Sequence, residues 1–190
     1  MGKLGKVDLK GMKEFQKKLE KQQKEADAFL EGCAKELAAR LLRLVVMRTP
    51  VGNYSHEIEI VAKQDSKHHK KGDVYKKRVN PGGKMGGTLR RGWVSVTQEE
   101  AENGKGAVQA KQILEYVHGL QISRSGSILK IEIINPVEYA AYVEYGHRTP
   151  GGKGWVRGQF MMTISEQELQ TMAPQLLERK IKKFLEGGRK

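Results

Sequence analysis

The groups that could do chemistry here are five histidines, one cysteine and 22 carboxylates. His68-His69, with Asp65, Asp73 and His56, is the one cluster that suggests a metal. Adjacent histidines in an extended segment point in opposite directions, and this spacing matches no zinc pattern, so solvated loop histidines are expected. Cys33 falls on an apolar helical stripe and reads as a small buried residue rather than a nucleophile. Ser, His and Asp occur only as scattered residues. Glu138 and Glu144 fall on different faces of a helix, so they do not form an acid–base pair and should face basic residues of a neighbour or solvent. Gly82-Gly83-Lys84 and Gly151-Gly152-Lys153 lack the Gly-x4-Gly-Lys-Ser/Thr spacing of a phosphate loop. The expectation is a protein that is not an enzyme, with no catalytic residue, metal or cofactor.

The densest patterning lies in Asn135-Pro-Val-Glu-Tyr-Ala-Ala-Tyr-Val-Glu-Tyr-Gly-His-Arg-Thr149. Asn135 reads as an N-cap and Pro136 as the first helical residue, where its missing N–H costs nothing. Gly146 suits a left-handed helix stop. The spacing predicts a short helix at 136–146, held by packing of Tyr139, Tyr142 and Val143 on one face. Stacking of Tyr139, Tyr142 and Tyr145 on bases is the alternative to core packing. A glycine-rich loop from His147 to Gly158 follows, carrying Arg148, Lys153, Arg157 and Trp155.

These segments need a frame. Phe15, Leu19, Ala26, Leu30, Cys33, Leu37, Leu41 and Leu44 recur at helical steps, so a long helix is expected from about Met12 to Arg48. Thr49-Pro50 ends it, because proline disfavours the helical region for the residue before it. Val7 and Leu9 suggest a short edge strand before it. Residues 51–88 read as a peripheral basic insertion, an extended β-arm containing the strand Glu57-Ile58-Glu59-Ile60. Its composition is too polar to offset the entropy of ordering it alone. Leu89–Thr97 reads as a strand and 98–106 as an acidic loop. Val108–His118 has helical spacing, with a strand as the alternative. Leu120–Ser123 and Ile128–Ile134 form a hairpin. A last helix from about Gln159 to Leu185 carries Pro174, which should kink or split it.

The chain of 190 residues suits one domain spanning 1–190. Its net charge is +13. Residues 1–24 contribute +5 (eight lysines, three acids) and residues 63–91 contribute +8 (ten Lys/Arg, two acids), so the remainder is neutral. Lys70, Lys71, Lys76, Lys77, Arg78, Arg90 and Arg91 are the candidates for contact with a charged partner. No apolar run is long enough to span a bilayer, so no membrane association is expected, and the N-terminus lacks a signal-peptide pattern. One cysteine excludes an internal disulfide and fits synthesis in a reducing cytoplasm.

Three blocks in order resemble the family of phage proteins that complete the tail and join it to the head. They are Thr49-Pro-Val-Gly52 at the end of a long helix, Gly86-Gly-Thr-Leu-Arg-Arg-Gly-Trp93, and Glu138-Tyr-Ala-Ala-Tyr-Val-Glu-Tyr-Gly146 continuing through Gly154-Trp-Val-Arg-Gly-Gln-Phe160. The common form has the first two blocks nearly contiguous, whereas 33 residues separate them here. The Gly154–Phe160 run is similar to members from prophages and defective tail-like particles of Gram-positive bacteria. The resemblance implies an α+β subunit, with an antiparallel sheet packed against the N-terminal and C-terminal helices. It implies assembly with itself as a ring, a hexamer, at the head-proximal end of the tail. The tail tube protein and the connector or head-completion protein would be its partners, with DNA passing the channel at most. The protein would sit in the bacterial host cytoplasm during assembly and then in the virion tail or neck. Tyr139, Tyr142, Glu144, Tyr145, His147, Arg148, Trp155 and Arg157 are the candidate interface residues. For Trp155 two readings stand: insertion into a neighbour with Arg157, or folding back onto its own core. The competing function is a basic nucleic-acid-binding protein using the arms at 1–24 and 63–91.

Overall fold

A 39-residue helix, α1 (Lys10–Arg48), opens the described part of the chain. Its exposed face carries helix-stabilising pairs at i,i+4, including Lys21–Glu25 and Glu36–Arg40. Thr49 stops it: the Thr49 N–H and Oγ1 both donate to the Val45 carbonyl, at 2.9 and 2.6 Å, and Pro50 follows. The computed structural model describes residues 10–82 and 86–187. The strand expected at Val7 and Leu9 lies outside them.

The remaining elements are β1 (His56–Val61), β2 (Val74–Val79), α2 (Thr88–Gly92), α3 (Gln98–Asn103), α4 (Ala110–Gly119), β3 (Ile122–Ser125), β4 (Ile128–Ile131), α5 (Ala140–Tyr145), β5 (Gly146–Arg148), β6 (Trp155–Arg157) and α6 (Met161–Gly187). The class is α+β. In place of one antiparallel sheet, the described residues form three two-stranded hairpins, β1–β2, β3–β4 and β5–β6. The polypeptide divides into two compact units.

The first unit draws on the described residues up to Leu44, on Ala110–Ile133, and on those from Met162 onward. Cys33, Ala38 and Leu42 of α1, Ile113 and Val117 of α4, and Leu176 of α6 are buried. The buried stripe of α1 therefore departs from the one expected: Phe15, Leu19 and Leu30 are exposed, and Phe29 instead stacks on Phe184 of α6 at 4.3 Å. Arg124 of β3 pairs with Asp27 of α1 at 2.8 Å, and Lys35 Nζ donates to the His118 carbonyl at 2.9 Å. α4 settles the helix-or-strand alternative in favour of the helix. α6 runs as one helix through Pro174 rather than splitting there.

Glu36 of α1 accepts from Lys180 of α6 and from Arg40, and these bonds hold its carboxyl below the usual carboxylate range. A depressed folded pKa contributes stability that is present above the unfolded value of about 4 and lost as pH falls through the folded one. Glu36→Gln is expected to cost roughly 0.5–1 kcal/mol at pH 7, because the pair is partly solvated. The deficit should shrink to nothing in acid. Thermal melts of both chains at neutral and acid pH test this; a deficit that persists in acid contradicts it.

The second unit comprises Val45–Gln109 and Ile134–Met161. Its buried apolar residues are Val45, Val46, Ala62, Leu89, Trp93, Ala101, Val137 and Met161. Four expectations fail here. Leu89–Thr97 is not a strand: Gly87, at φ 94°, leads into α2, and Leu89 and Trp93 are buried one turn apart on the same helical face. Nor is 98–106 simply a loop. Thr97 Oγ1 accepts from the Glu100 N–H at 3.2 Å and Glu100 reaches back to the Thr97 N–H, a capping box that starts α3. The helix expected at 136–146 is shorter, at Ala140–Tyr145, and Tyr139 is its N-cap. Asn135 is not that cap. Its Oδ1 accepts from the Val137 N–H at 3.1 Å, in a turn that precedes the helix.

The β1–β2 hairpin is antiparallel, with His56 opposite Val79 and Val61 opposite Val74. Its connection is ordered by polar side chains rather than apolar ones. Asp65 accepts from the Lys71 N–H at 2.6 Å, Asp73 accepts from the Lys70 N–H at 2.7 Å, and His69 stacks on Tyr75 at 4.0 Å.

Candidate functional site

All three sequence blocks lie in the second unit, and side chains of the first two tie that unit together. Arg90 Nε donates to the Thr49 carbonyl at 3.0 Å, and its Nη2 donates to the same oxygen. Trp93 Nε1 donates to Thr49 Oγ1 at 2.7 Å, and that hydroxyl itself donates to Val45. Thr49 is wholly buried. Arg91 is also buried, and its guanidinium donates to the Ala101 carbonyl at 2.8 Å, the Gly86 carbonyl at 3.1 Å and Thr88 Oγ1 at 3.3 Å. Asn135 Nδ2 donates to the Leu89 carbonyl at 2.9 Å. Arg91 is therefore enclosed and Arg90 half-buried, each with guanidinium donors committed inside the unit. A planar guanidinium has several fixed donors: Arg91 satisfies two backbone carbonyls and a hydroxyl, and Arg90 aims two donors at the one Thr49 carbonyl, all inside their own unit.

The third block is built on this frame. The β5–β6 hairpin pairs Gly146 with Arg157, His147 with Val156 and Arg148 with Trp155. Gly146 does not take the left-handed helix-stop conformation: it sits at φ 89°, ψ 171° and turns the chain from α5 directly into β5. A Cβ there would lie 2.4 Å from the Val156 carbonyl oxygen, and one on Gly158 would lie 2.3 Å from the Glu144 carbonyl oxygen. Only glycine fits either place without backbone movement. The Gln159 and Phe160 N–H groups then donate to the Val143 and Glu144 carbonyls at 2.8 and 3.0 Å, clamping the hairpin's exit onto α5. Phe160 pays for this with φ 50°, the one positive φ outside glycine among the described residues.

The aromatic side chains point outward. Tyr142 is 60% exposed, Tyr145 63% and Trp155 63%, while Tyr139 is 39% exposed. The expected core packing of the three tyrosines fails. The apolar members of the segment are too few, and the buried positions go to Val137 and to Glu144, at 6% exposure. Glu144 is thus buried. Arg148 and Arg157 are exposed, and so is Val156 beside Trp155. His147 is half-buried, its ring 5.9 Å from that of Tyr142, and its Nδ1 has no hydrogen-bond partner among the described residues. Burial, then the charges of nearby Tyr54 and Glu102, pushes the Tyr139 hydroxyl up.

On the arm, Lys70, Lys71, Lys76, Lys77 and Arg78 are all exposed. His56 lies at one end of β1 while His69 stacks on Tyr75, and no group of three or more His, Cys, Asp or Glu among the described residues is placed to hold a metal. No helix among them is long and apolar enough to cross a membrane. Cys33 is buried, and burial raises its thiol pKa.

Thr49, Trp93 and Asn135 were not singled out as site residues by sequence reasoning. The signal available was the place of Thr49 and Trp93 in the first two blocks and of Asn135 just before the third, with Leu89 and Trp93 one helical turn apart.

The family model described as "Bacteriophage HK97-gp10, putative tail-component" matches residues 13–146. The chain belongs to this family. No curated protein and no solved structure matches it. The matched span of this tail component runs from α1 to the end of α5, so it includes the frame around Thr49, Arg91 and Trp93. The β6 strand with Trp155 lies beyond it.

Proposed function

We propose that this tail component is a structural, non-enzymatic ring subunit. Copies of the chain, six in the reading favoured here, close a ring at the head-proximal end of the tail, complete the tail tube and join it to the connector. The observation that carries this is the exposed face of the second unit. Tyr142, Tyr145 and Trp155 stand in solvent beside Arg148 and Arg157, on a backbone fixed by two glycines and a clamp. Aromatic residues and arginine supply most hot-spot energy at protein interfaces, and a rigid support lowers the entropic cost of using them. A tail component meets copies of itself and other structural proteins, and this face has the chemistry to do so.

Binding to nucleic acid through the arm would leave a different signature. Phosphate contacts weaken log-linearly with salt. The free chain is expected to bind duplex DNA weakly and to lose that binding near 150 mM salt, while sedimentation at rising concentration shows it associating with itself. Tight DNA binding that survives such salt, from a chain that stays monomeric, would overturn the ring reading.

A further inference from the structure

The β1–β2 hairpin has two free edges, since no described strand pairs with the outer side of either strand. The edges differ in charge. β1 reads His56-Glu-Ile-Glu-Ile-Val61 and β2 reads Val74-Tyr-Lys-Lys-Arg-Val79. Within the hairpin Glu57 stands opposite Arg78, and Glu59 opposite Lys76. These four side chains share one face, because alternate residues of a strand point the same way. Ile58, Ile60, Tyr75 and Val79 lie on the other.

The register also fixes which backbone groups face outward. The Ala62 N–H donates to the Asp73 carbonyl at 2.9 Å, one step beyond the Val61–Val74 pair. Hydrogen-bonded and non-hydrogen-bonded pairs alternate along an antiparallel ladder. The pairs Ile60–Tyr75 and Ile58–Lys77 are therefore the bonded ones. Glu57, Glu59, Lys76 and Arg78 turn their own N–H and C=O groups away from the hairpin, toward whatever strand comes next.

We infer that the β2 edge of one copy pairs antiparallel with the β1 edge of the next copy, so that the arms join into a continuous sheet between neighbouring subunits. The occupant is a second copy of this chain, and the argument is charge complementarity. A β2 edge brought to a β1 edge in the hairpin's own register sets Lys76 and Arg78 against Glu59 and Glu57 of the neighbour. Each carboxylate is then flanked by cations on both sides. A β2 edge against another β2 edge sets cations against cations, and β1 against β1 sets acids against acids; both are disfavoured. Edge strands are templates for pairing unless something blunts them, and here charge permits one pairing and opposes the other two. Such a contact is head-to-tail, the kind that closes a ring when the rotation between copies allows. A two-stranded hairpin is marginal alone, and added strands supply what it lacks.

This inference rests on the ring reading, but the two can fail separately. Two full-length chains, one carrying Glu59→Cys and one carrying Lys76→Cys, are mixed, allowed to associate and oxidised. Cys33 is buried and stays out of the reaction. The expected result is a disulfide-linked dimer from the mixture and none from either chain alone. Glu57→Cys mixed with Arg78→Cys provides a second pair on the same face and should behave alike. A closed ring by native mass measurement with no crosslink from either mixture overturns the edge pairing and leaves the ring. The crosslinked dimer found in open assemblies of growing length, rather than in a closed ring, by native mass measurement keeps the edge pairing and overturns the ring. Crosslinking of the Glu59→Cys chain with itself shows a two-fold contact and overturns the head-to-tail pairing. A monomer with no crosslink overturns both.

Discussion

Trp93→Ala is expected to destabilise the second unit by about 3–5 kcal/mol, the usual range for deleting a fully packed indole. Trp93 is buried and its Nε1–H is the donor to the Thr49 hydroxyl, at the point where α1 ends. The alanine leaves a cavity and an unsatisfied acceptor in one step. Trp93→Phe separates the two effects: it keeps most of the volume and removes the donor. Thr49 Oγ1 still donates to Val45, so about 1 kcal/mol is expected for that substitution. Urea denaturation followed by circular dichroism measures both. An alanine variant within 1 kcal/mol of the parent would mean that the Thr49–Trp93 contact does not hold the unit together.

Trp155→Ala is expected to do the reverse, leaving the fold intact and abolishing assembly. Trp155 is 63% exposed, and the hairpin that carries it is fixed by backbone bonds and by Gly146 and Gly158 rather than by the indole. A surface substitution of this kind changes stability by roughly 0.5 kcal/mol or less. Loss of an aromatic interface anchor costs about 2 kcal/mol or more at each contact, and a ring multiplies contacts. Self-association of the purified variant should fall well over ten-fold, since 1.4 kcal/mol is about a factor of ten, while its melting temperature stays put. If the variant instead melts early, the indole supports its own hairpin and the face is not the assembly surface. Normal association with normal stability would likewise remove Trp155 from the interface.

The parts that were legible in the sequence are those with a long period or a terminal signal. α1 carries a helical stripe and a Thr-Pro stop, α4 has helical spacing, and β1 and β4 alternate. The parts that were not legible are those where side chains bond to the backbone. Leu89–Val96 has strand-like residues, but Arg91 and Trp93 find their carbonyl and hydroxyl partners only when α2 forms. The Thr97–Glu100 capping box was present as a three-residue spacing and was outweighed by the acidic, glycine-containing composition around it. At the candidate site the outcome was mixed for the same reason. Trp155, Arg148 and Arg157 came out exposed, whereas Arg90, Arg91 and Glu144 turned inward. A charged residue reads as surface in a sequence, and nothing in its neighbours announces that two backbone carbonyls and a hydroxyl will surround Arg91 or that Glu144 will be buried.

The most direct test of the ring-subunit role is electron microscopy of particles assembled in a host from which this gene has been deleted. The expected images show tails of irregular length, or filled heads and tails lying unjoined, with normal particles restored by the intact gene and not by the Trp155→Ala form. Joined particles with tails of uniform length, made without the gene, would contradict it.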